Sequence, residues 1–271
     1  MNDDSQYQYV QGQARPGFPA LLADYEARSA AAAAGDCALD LRYGPHARQT
    51  FDFFQARGRP RGTLAYFHAG YWQSRDKSGF RFIAPAYAQA GVHVALVNYP
   101  LCPEVSLAAL VEAAQTCVPA IRAQAGGDGG ALVLAGHSAG AHVAIELALA
   151  QRDEPAIAGV AALSGIYALA PLLATTLNDK LRLDAASAHA GSPLYRVRPI
   201  AAPALFAVGA TETPAFVAQS RAFHQAWTAA GNRGALHIEP EADHFSLLQP
   251  FASPGSALFA QVLGLLGEEP A

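Results

Sequence analysis

Three residue types that can act together stand at three separated positions in this chain: Ser138, Glu212 and His244. A serine hydroxyl is a weak nucleophile until a base takes its proton. Histidine is the usual base, and a carboxylate on its other ring nitrogen fixes the tautomer. Ser138 lies in Gly136-His-Ser-Ala-Gly140, with the apolar run Ala131-Leu-Val-Leu-Ala135 before it and a nearly all-apolar stretch after it. That is strand, sharp turn, helix, with the serine at the tip. A hydroxyl projected above a sheet edge needs a strained backbone at Ser138. It also needs glycine at 136 and 140, where strand and helix nearly touch. The N–H of Ala139 opens the helix and points toward whatever Ser138 attacks, which makes it half of an oxyanion site. The plainer reading is a Gly/Ser turn; the strand before and the helix after favour the nucleophile.

The partners should follow in the order acid, then histidine, each after a strand. After the apolar run 204–208 comes Gly209-Ala-Thr-Glu-Thr-Pro214, and the next acidic residue is Glu239. Glu212 is therefore the candidate acid, although a glutamate there is also an ordinary helix N-terminal residue. After 235–238 comes Glu239-Pro-Glu-Ala-Asp-His-Phe245, which places His244 in a loop. Asp243, adjacent to the histidine, is badly placed to orient its ring and reads as a loop-fixing residue. The remaining oxyanion donors should follow the third strand, where Tyr66-Phe-His-Ala-Gly-Tyr-Trp72 stands. Gly70 and Tyr71 are the expected donors, and His68 reads as a brace. Tyr71, Trp72, His137 and Phe245 are the candidate substrate contacts, with packing under the loop an equal reading for Trp72. His137 and His142 are five apart and share no helix face, so no metal site is expected, and the chemistry needs no cofactor.

The elements that must position these groups alternate. Apolar runs at 64–68, 92–98, 131–135, 157–163, 204–208 and 235–238 read as strands. Helical stretches near 80–90, 107–123, 139–151, 216–230 and 256–266 lie between and after them. Continuous apolar strands alternating with helices mean a parallel sheet covered on both faces. Residues 39–43 and 50–54 have period-two character and frame Gly44-Pro45-His46, so an antiparallel hairpin precedes the parallel part. Residues 1–20 read as an irregular arm and 19–34 as a helix. Gly126-Gly-Asp-Gly-Gly130 precedes a strand and reads as a loop. Between 165 and 203 there is no clear strand, yet Leu172, Leu173, Leu177, Leu181 and Leu183 are apolar, and the interval is too long for a simple connection. Residues 166–200 are expected to form a small cap over the site, within a single domain spanning 1–271 whose first 36 residues are arm and helix.

Of the 271 residues 52% are hydrophobic, enough for a substantial core, and the net charge of −4 with no long basic run argues against nucleic acid. Arg57-Gly-Arg-Pro-Arg61 reads as a solvated turn. The three cysteines fit neither a disulfide framework nor a zinc pattern, the first residues are polar, and no stretch suits a membrane span. A cytoplasmic protein acting on a small molecule is expected, with a homodimer open.

The motifs resemble the arylformamidases, or kynurenine formamidases, of α/β-hydrolase type. The resemblance rests on 68–73 (His-Ala-Gly-Tyr-Trp-Gln), 136–142 (Gly-His-Ser-Ala-Gly-Ala-His), 163–172 (Leu-Ser-Gly-Ile-Tyr-Ala-Leu-Ala-Pro-Leu) and 212–220 (Glu-Thr-Pro-Ala-Phe-Val-Ala-Gln-Ser). It covers most of 37–250. It implies the α/β-hydrolase fold with a cap inserted after the sixth strand. It also implies hydrolysis of N-formylkynurenine to kynurenine and formate, with the family's triad on Ser138, Glu212 and His244. Ala69, Glu212 and Ala168 depart from the commoner family residues, glycine, aspartate and aspartate respectively. A carboxylesterase for small acyl esters is the alternative reading. A non-catalytic binding protein of this fold would usually have lost one of the three.

Overall fold

The computed structural model describes residues 4–13, 15–126, 130–150 and 157–267. Residues 127–129 of the glycine run and Gln151 at the end of an expected helix lie outside the described residues.

Eight strands form one sheet: β1 Cys37–Arg42, β2 Thr50–Phe54, β3 Gly62–Phe67, β4 Val92–Val97, β5 Leu132–His137, β6 Gly159–Leu163, β7 Ala204–Gly209 and β8 Gly234–Glu239. Their order across the sheet is β1-β2-β4-β3-β5-β6-β7-β8. β1 and β2 pair antiparallel, and β2 pairs antiparallel with β4. All other pairs are parallel. β3 and β5 are wholly buried, as strands covered on both faces must be. The chain leaves β3 toward β4 on one side and returns to β5 on the other. The crevice between the carboxyl ends of β3 and β5 is thus a topological switch point, where open α/β sheets bind ligands.

The helices are α1 Ser5–Tyr9, α2 Phe18–Ala33, α3 Ala84–Gln89, α4 Leu107–Gln115, α5 Cys117–Gln124, α6 Ala139–Ala150, α7 Asn178–Leu181, α8 Ala185–Ala190, α9 Pro214–Ala229, α10 Leu248–Phe251 and α11 Ala257–Gly264. A 3-10 stretch, Lys77–Ile83, leads into α3. α6 is buried on every side from Ala139 to Leu149, which explains its lack of a polar face. Among the described residues, no helix is long and apolar enough to cross a membrane.

Three expectations need correction. The stretch 107–123 is two helices, parted at Thr116. Pro119 has no N–H for Gln115, and its ring would meet that carbonyl, so one continuous helix is blocked. The first residues are not an irregular arm. α1 and a 3-10 turn at Gln11–Gln13 bury Gln8, Tyr9 and Gln13. Gln13 Nε2 donates to Thr213 Oγ1 (2.7 Å), and the Thr213 hydroxyl donates to Gln8 O (2.7 Å). Finally, 166–200 is an inserted helical segment after β6, but none of its residues lines the cavity at Ser138. It packs beside α6: His142 Nε2 lies 2.8 Å from Gly191 O, Arg196 pairs with Glu146, and Arg198 donates to Leu149 O.

Candidate active site

At the β5–α6 turn, Ser138 has φ +56°, the left-handed conformation that a projecting side chain here requires. A Cβ on Gly136 would stand 2.2 Å from Gly140 O, and one on Gly140 would stand 2.0 Å from Phe67 O. Strand, helix and the neighbouring β3 meet with no room for a side chain. Ser138 N donates to Leu163 O (2.8 Å), which fastens the turn to β6.

The acid and the histidine meet across 32 residues of sequence. His244 Nδ1 is 2.8 Å from Glu212 Oε2, and both side chains are buried. A carboxylate there favours the tautomer with the proton on Nδ1 and leaves Nε2 as the basic nitrogen. The other carboxylate oxygen, Oε1, accepts from Ser164 Oγ (2.5 Å) and Gly209 N (2.8 Å). Glu212 therefore cannot rotate away from the imidazole without breaking two further bonds. Ser164 was missed in the sequence. It follows β6 at φ +48°, and its N–H donates to Ala207 O (2.7 Å). The signal available was a polar residue at the carboxyl end of a buried parallel strand. Asp243 does fix the loop: its Oδ1 accepts from Phe245 N (3.0 Å) and Ser246 N (2.8 Å).

Ser138, His244, His137, Phe245, Gly70 and Tyr71 all line one cavity of about 620 Å³. That is ample for a drug-sized organic molecule. Its roof is α2, through Phe18, Leu22 and Tyr25, rather than the 166–200 segment. α2 is tied down on two sides. Tyr25 Oη donates to Phe245 O (3.0 Å), its ring stacks on Phe82 (4.1 Å), and Phe82 N donates to Ser29 Oγ (3.1 Å).

The loop after β3 holds Gly70, Tyr71 and Trp72 at φ +131°, +52° and +60°. A Cβ on Gly70 would stand 2.2 Å from Ser74 O. Gly70 O accepts from Gln73 N (2.9 Å) and Ser74 N (3.1 Å), while no acceptor among the described residues takes the amides of Gly70, Tyr71 or Ala139. The Tyr71 hydroxyl is spent on Tyr9 O, so α1 anchors this loop. Trp72 is a correction. It is fully buried, does not line the cavity, and lies edge-on to His142 at 5.1 Å. His68 braces the loop from below, stacked on Tyr99 at 4.5 Å with Nδ1 2.7 Å from Ala69 O. Burial pulls its pKa down to about 4, so it stays neutral. His137 is likewise held well below the ordinary histidine value, by burial and by the neighbouring His244, 4.6 Å away ring to ring.

The rim of the cavity is built on Arg48, also unpredicted. Its guanidinium donates to Tyr99 O (3.0 Å), Arg75 O (2.9 Å) and Asp76 Oδ2 (3.3 Å). Burial works against the ionised form of Asp76, but hydrogen bonds from Ser78 N and the Asn98 amide prevail and hold its pKa at about 2. Among the described residues, no group of three His, Cys, Asp or Glu side chains is arranged to hold a metal.

Comparison with known proteins agrees with this geometry. A family model described as alpha/beta hydrolase fold matches residues 64–248. A kynurenine formamidase of Danio rerio is 31% identical over 243 residues, covering 85% of this chain and 82% of that protein. A Silicibacter structure described as a candidate thioesterase superposes with TM-score 0.85 at 30% identity, covering 94% of this chain and 97% of the other. An esterase of Pyrobaculum calidifontis shares the fold at TM-score 0.74 and 18% identity, covering 96% of each chain. The chain belongs to the α/β-hydrolase family, on its kynurenine formamidase branch.

Proposed function

We propose that this enzyme is a serine hydrolase that removes the formyl group from an aryl formamide, N-formylkynurenine being the candidate substrate. Ser138 Oγ attacks the formyl carbon as His244 Nε2 takes its proton. Glu212 holds the imidazole and stabilises its charged form. The oxyanion that develops on the formyl oxygen is met by the amides of Gly70, Tyr71 and Ala139. The tetrahedral intermediate collapses, His244 returns the proton to the leaving nitrogen, and the arylamine departs. Water, deprotonated by the same imidazole, then attacks the formyl-serine ester and releases formate.

The observation that carries this reading is the buried Glu212–His244 contact of 2.8 Å opening on the cavity that also holds Ser138. The similarity to the Danio rerio formamidase supports formyl as the acyl group. Phe18, Leu22, Phe80, Phe245 and Leu248 give the cavity an apolar wall, which suits an aryl leaving group. The free thiols of Cys37, Cys102 and Cys117 suit a reducing, cytoplasmic setting.

A second reading, an esterase for small acyl groups, is favoured by the candidate thioesterase structure at 30% identity. Turnover of N-formylkynurenine against p-nitrophenyl acetate separates the two: efficient hydrolysis of the ester alone removes the formamidase assignment. A fluorophosphonate probe should label the wild type and leave Ser138→Ala unlabelled; equal labelling of both would place the nucleophile elsewhere.

A further inference from the structure

An aromatic strip runs from the imidazole to a guanidinium that pairs with no carboxylate among the described residues. The Phe245 ring lies edge-on to His244 at 5.2 Å, the Phe18 ring lies 4.0 Å from Phe245, and Arg75 Cζ stands 6.0 Å from the centre of Phe18. All four residues line the cavity that holds Ser138. The Arg75 stem rests on the loop of candidate oxyanion donors, its Cγ 3.0 Å from where a Cβ on Gly70 would be. Its backbone is fixed at φ +71° with the carbonyl held by Arg48 Nη2 at 2.9 Å. This arginine is therefore anchored beside the reaction centre by its stem and extended along the roof by its head.

The other charges around the cavity differ from it. Asp76 is satisfied by Arg48 and Asn98, and Arg81 pairs with the buried Asp52 at 2.7 Å. Arg75 has no ion-pair partner among the described residues. Glu26 is likewise without one among the described residues; it stands eight residues beyond Phe18 on α2, about 12 Å along the helix axis from the residue whose ring Arg75 covers. A guanidinium over an aromatic face keeps its N–H fork available for a planar anion.

We propose that Arg75 is a specificity-determining residue that binds a carboxylate carried on the leaving group of the substrate. The aryl part of that group lies along Phe18 and Phe245 while the acyl group sits at Ser138. This rests on the serine-hydrolase reading above and goes beyond it, since it makes a remote carboxylate, rather than the acyl group, the feature by which substrates are sorted. Binding energy from such a remote contact acts mainly through KM when it is the same in ground and transition states.

The test uses two matched substrate pairs. One is N-formylkynurenine against formanilide. The other is 3-(2-acetoxyphenyl)propanoate against its primary amide. The ratio of kcat/KM for the carboxylate-bearing member to that for the member without one is measured for wild type, Arg75→Gln, Arg75→Glu and Arg75→Lys. The ratio should fall at least tenfold in Arg75→Gln, mostly through KM for the carboxylate-bearing member. It should fall further in Arg75→Glu and be largely kept in Arg75→Lys. Because each ratio is internal to one preparation, a variant with less folded protein still gives a valid answer. A ratio that is the same in all four proteins overturns the proposal. If the formamides are not turned over but the acetates are, the formamidase reading fails, and the acetate ratio still decides the role of Arg75.

Discussion

At the scale of single residues, the site depends on how completely Glu212 is held. Its carboxylate accepts from His244, Ser164 and Gly209, so its orientation is set by three elements at once. Ser138→Ala should lower kcat by about six orders of magnitude, the loss found when the nucleophile of a comparable triad is removed. Glu212→Gln keeps the shape but can present an amide N–H to Nδ1, which favours the wrong tautomer. A fall in kcat of about 10⁴, with KM little changed, is expected on the precedent of such replacements. Ser164→Ala is a finer probe. It removes one neutral donor to an ionised acceptor, a bond worth about 1.5–3 kcal/mol, and should cost roughly ten- to a hundredfold in kcat. Activity equal to wild type in Ser164→Ala would show that the glutamate is oriented without it. Ser138, Glu212 and His244 were legible because the fold prescribes their order and each ends a recognisable strand. Ser164 was not, because nothing in Leu163-Ser-Gly165 says that its hydroxyl meets a carboxylate 48 residues later.

At the scale of elements, the loop after β3 carries the strongest constraint. Gly70 stands at φ +131° with Ser74 O where a Cβ would go, so Gly70→Ala must open the turn that holds the Gly70 and Tyr71 amides, the proposed oxyanion donors. Losing one oxyanion donor costs about 2.7–4 kcal/mol of transition-state stabilisation, so kcat should fall by roughly 10²–10³. The melting temperature should move by only a few degrees, since Gly70 itself is only partly buried. A large thermal loss with unimpaired turnover per folded molecule would contradict this. The strands were readable because buried parallel strands are continuous apolar runs, and the hairpin because two short runs of period-two character flank Gly44-Pro45-His46, although β2 proves buried throughout. The roof was not. Phe18, Leu22 and Tyr25 mark one face of an amphipathic helix, but periodicity does not say which cavity that face covers. The 166–200 insertion was visible from its length and leucines, yet its position beside α6 is decided by Glu146–Arg196 and by Arg198 on Leu149 O. Trp72 failed for a related reason: at φ +60° the loop turns that ring down onto His142 instead of outward.

At the scale of the whole molecule, polar groups sealed inside the protein set its response to acid. Burial lowers the pKa of His68 to about 4 and lowers those of His137 and His142, while an unfolded histidine titrates near 6.5. Between about pH 4 and 6.5 the unfolded chain therefore binds protons that the folded chain refuses. Stability is fully present above pH 6.5 and is lost as the pH falls, each such group contributing about 1.4 kcal/mol per pH unit within its window. Asp76 adds a loss only much lower, from about pH 3.8 down to its folded value of about 2. A second seam lies under the N-terminal hairpin. Lys77 Nζ meets Asp52 Oδ1 (2.9 Å) and Asp40 Oδ1 (2.6 Å), and Arg81 Nε meets Asp52 Oδ2 (2.7 Å). Asp52→Ala takes the buried carboxylate from both Lys77 and Arg81, leaving Lys77 only the exposed Asp40, and should cost about 3–5 kcal/mol at neutral pH, whereas exchanging exposed Asp24 should cost almost nothing. The two effects separate in urea titrations. The wild-type midpoint should drop between pH 7 and pH 5 at unchanged slope, and the Asp52→Ala curve should start lower but fall in parallel, because the buried histidines are still present. A wild-type midpoint that stays level from pH 7 to pH 5 would mean that these imidazoles take up protons in the folded protein, and with them the rigid support of the Gly70 loop by His68 would be lost.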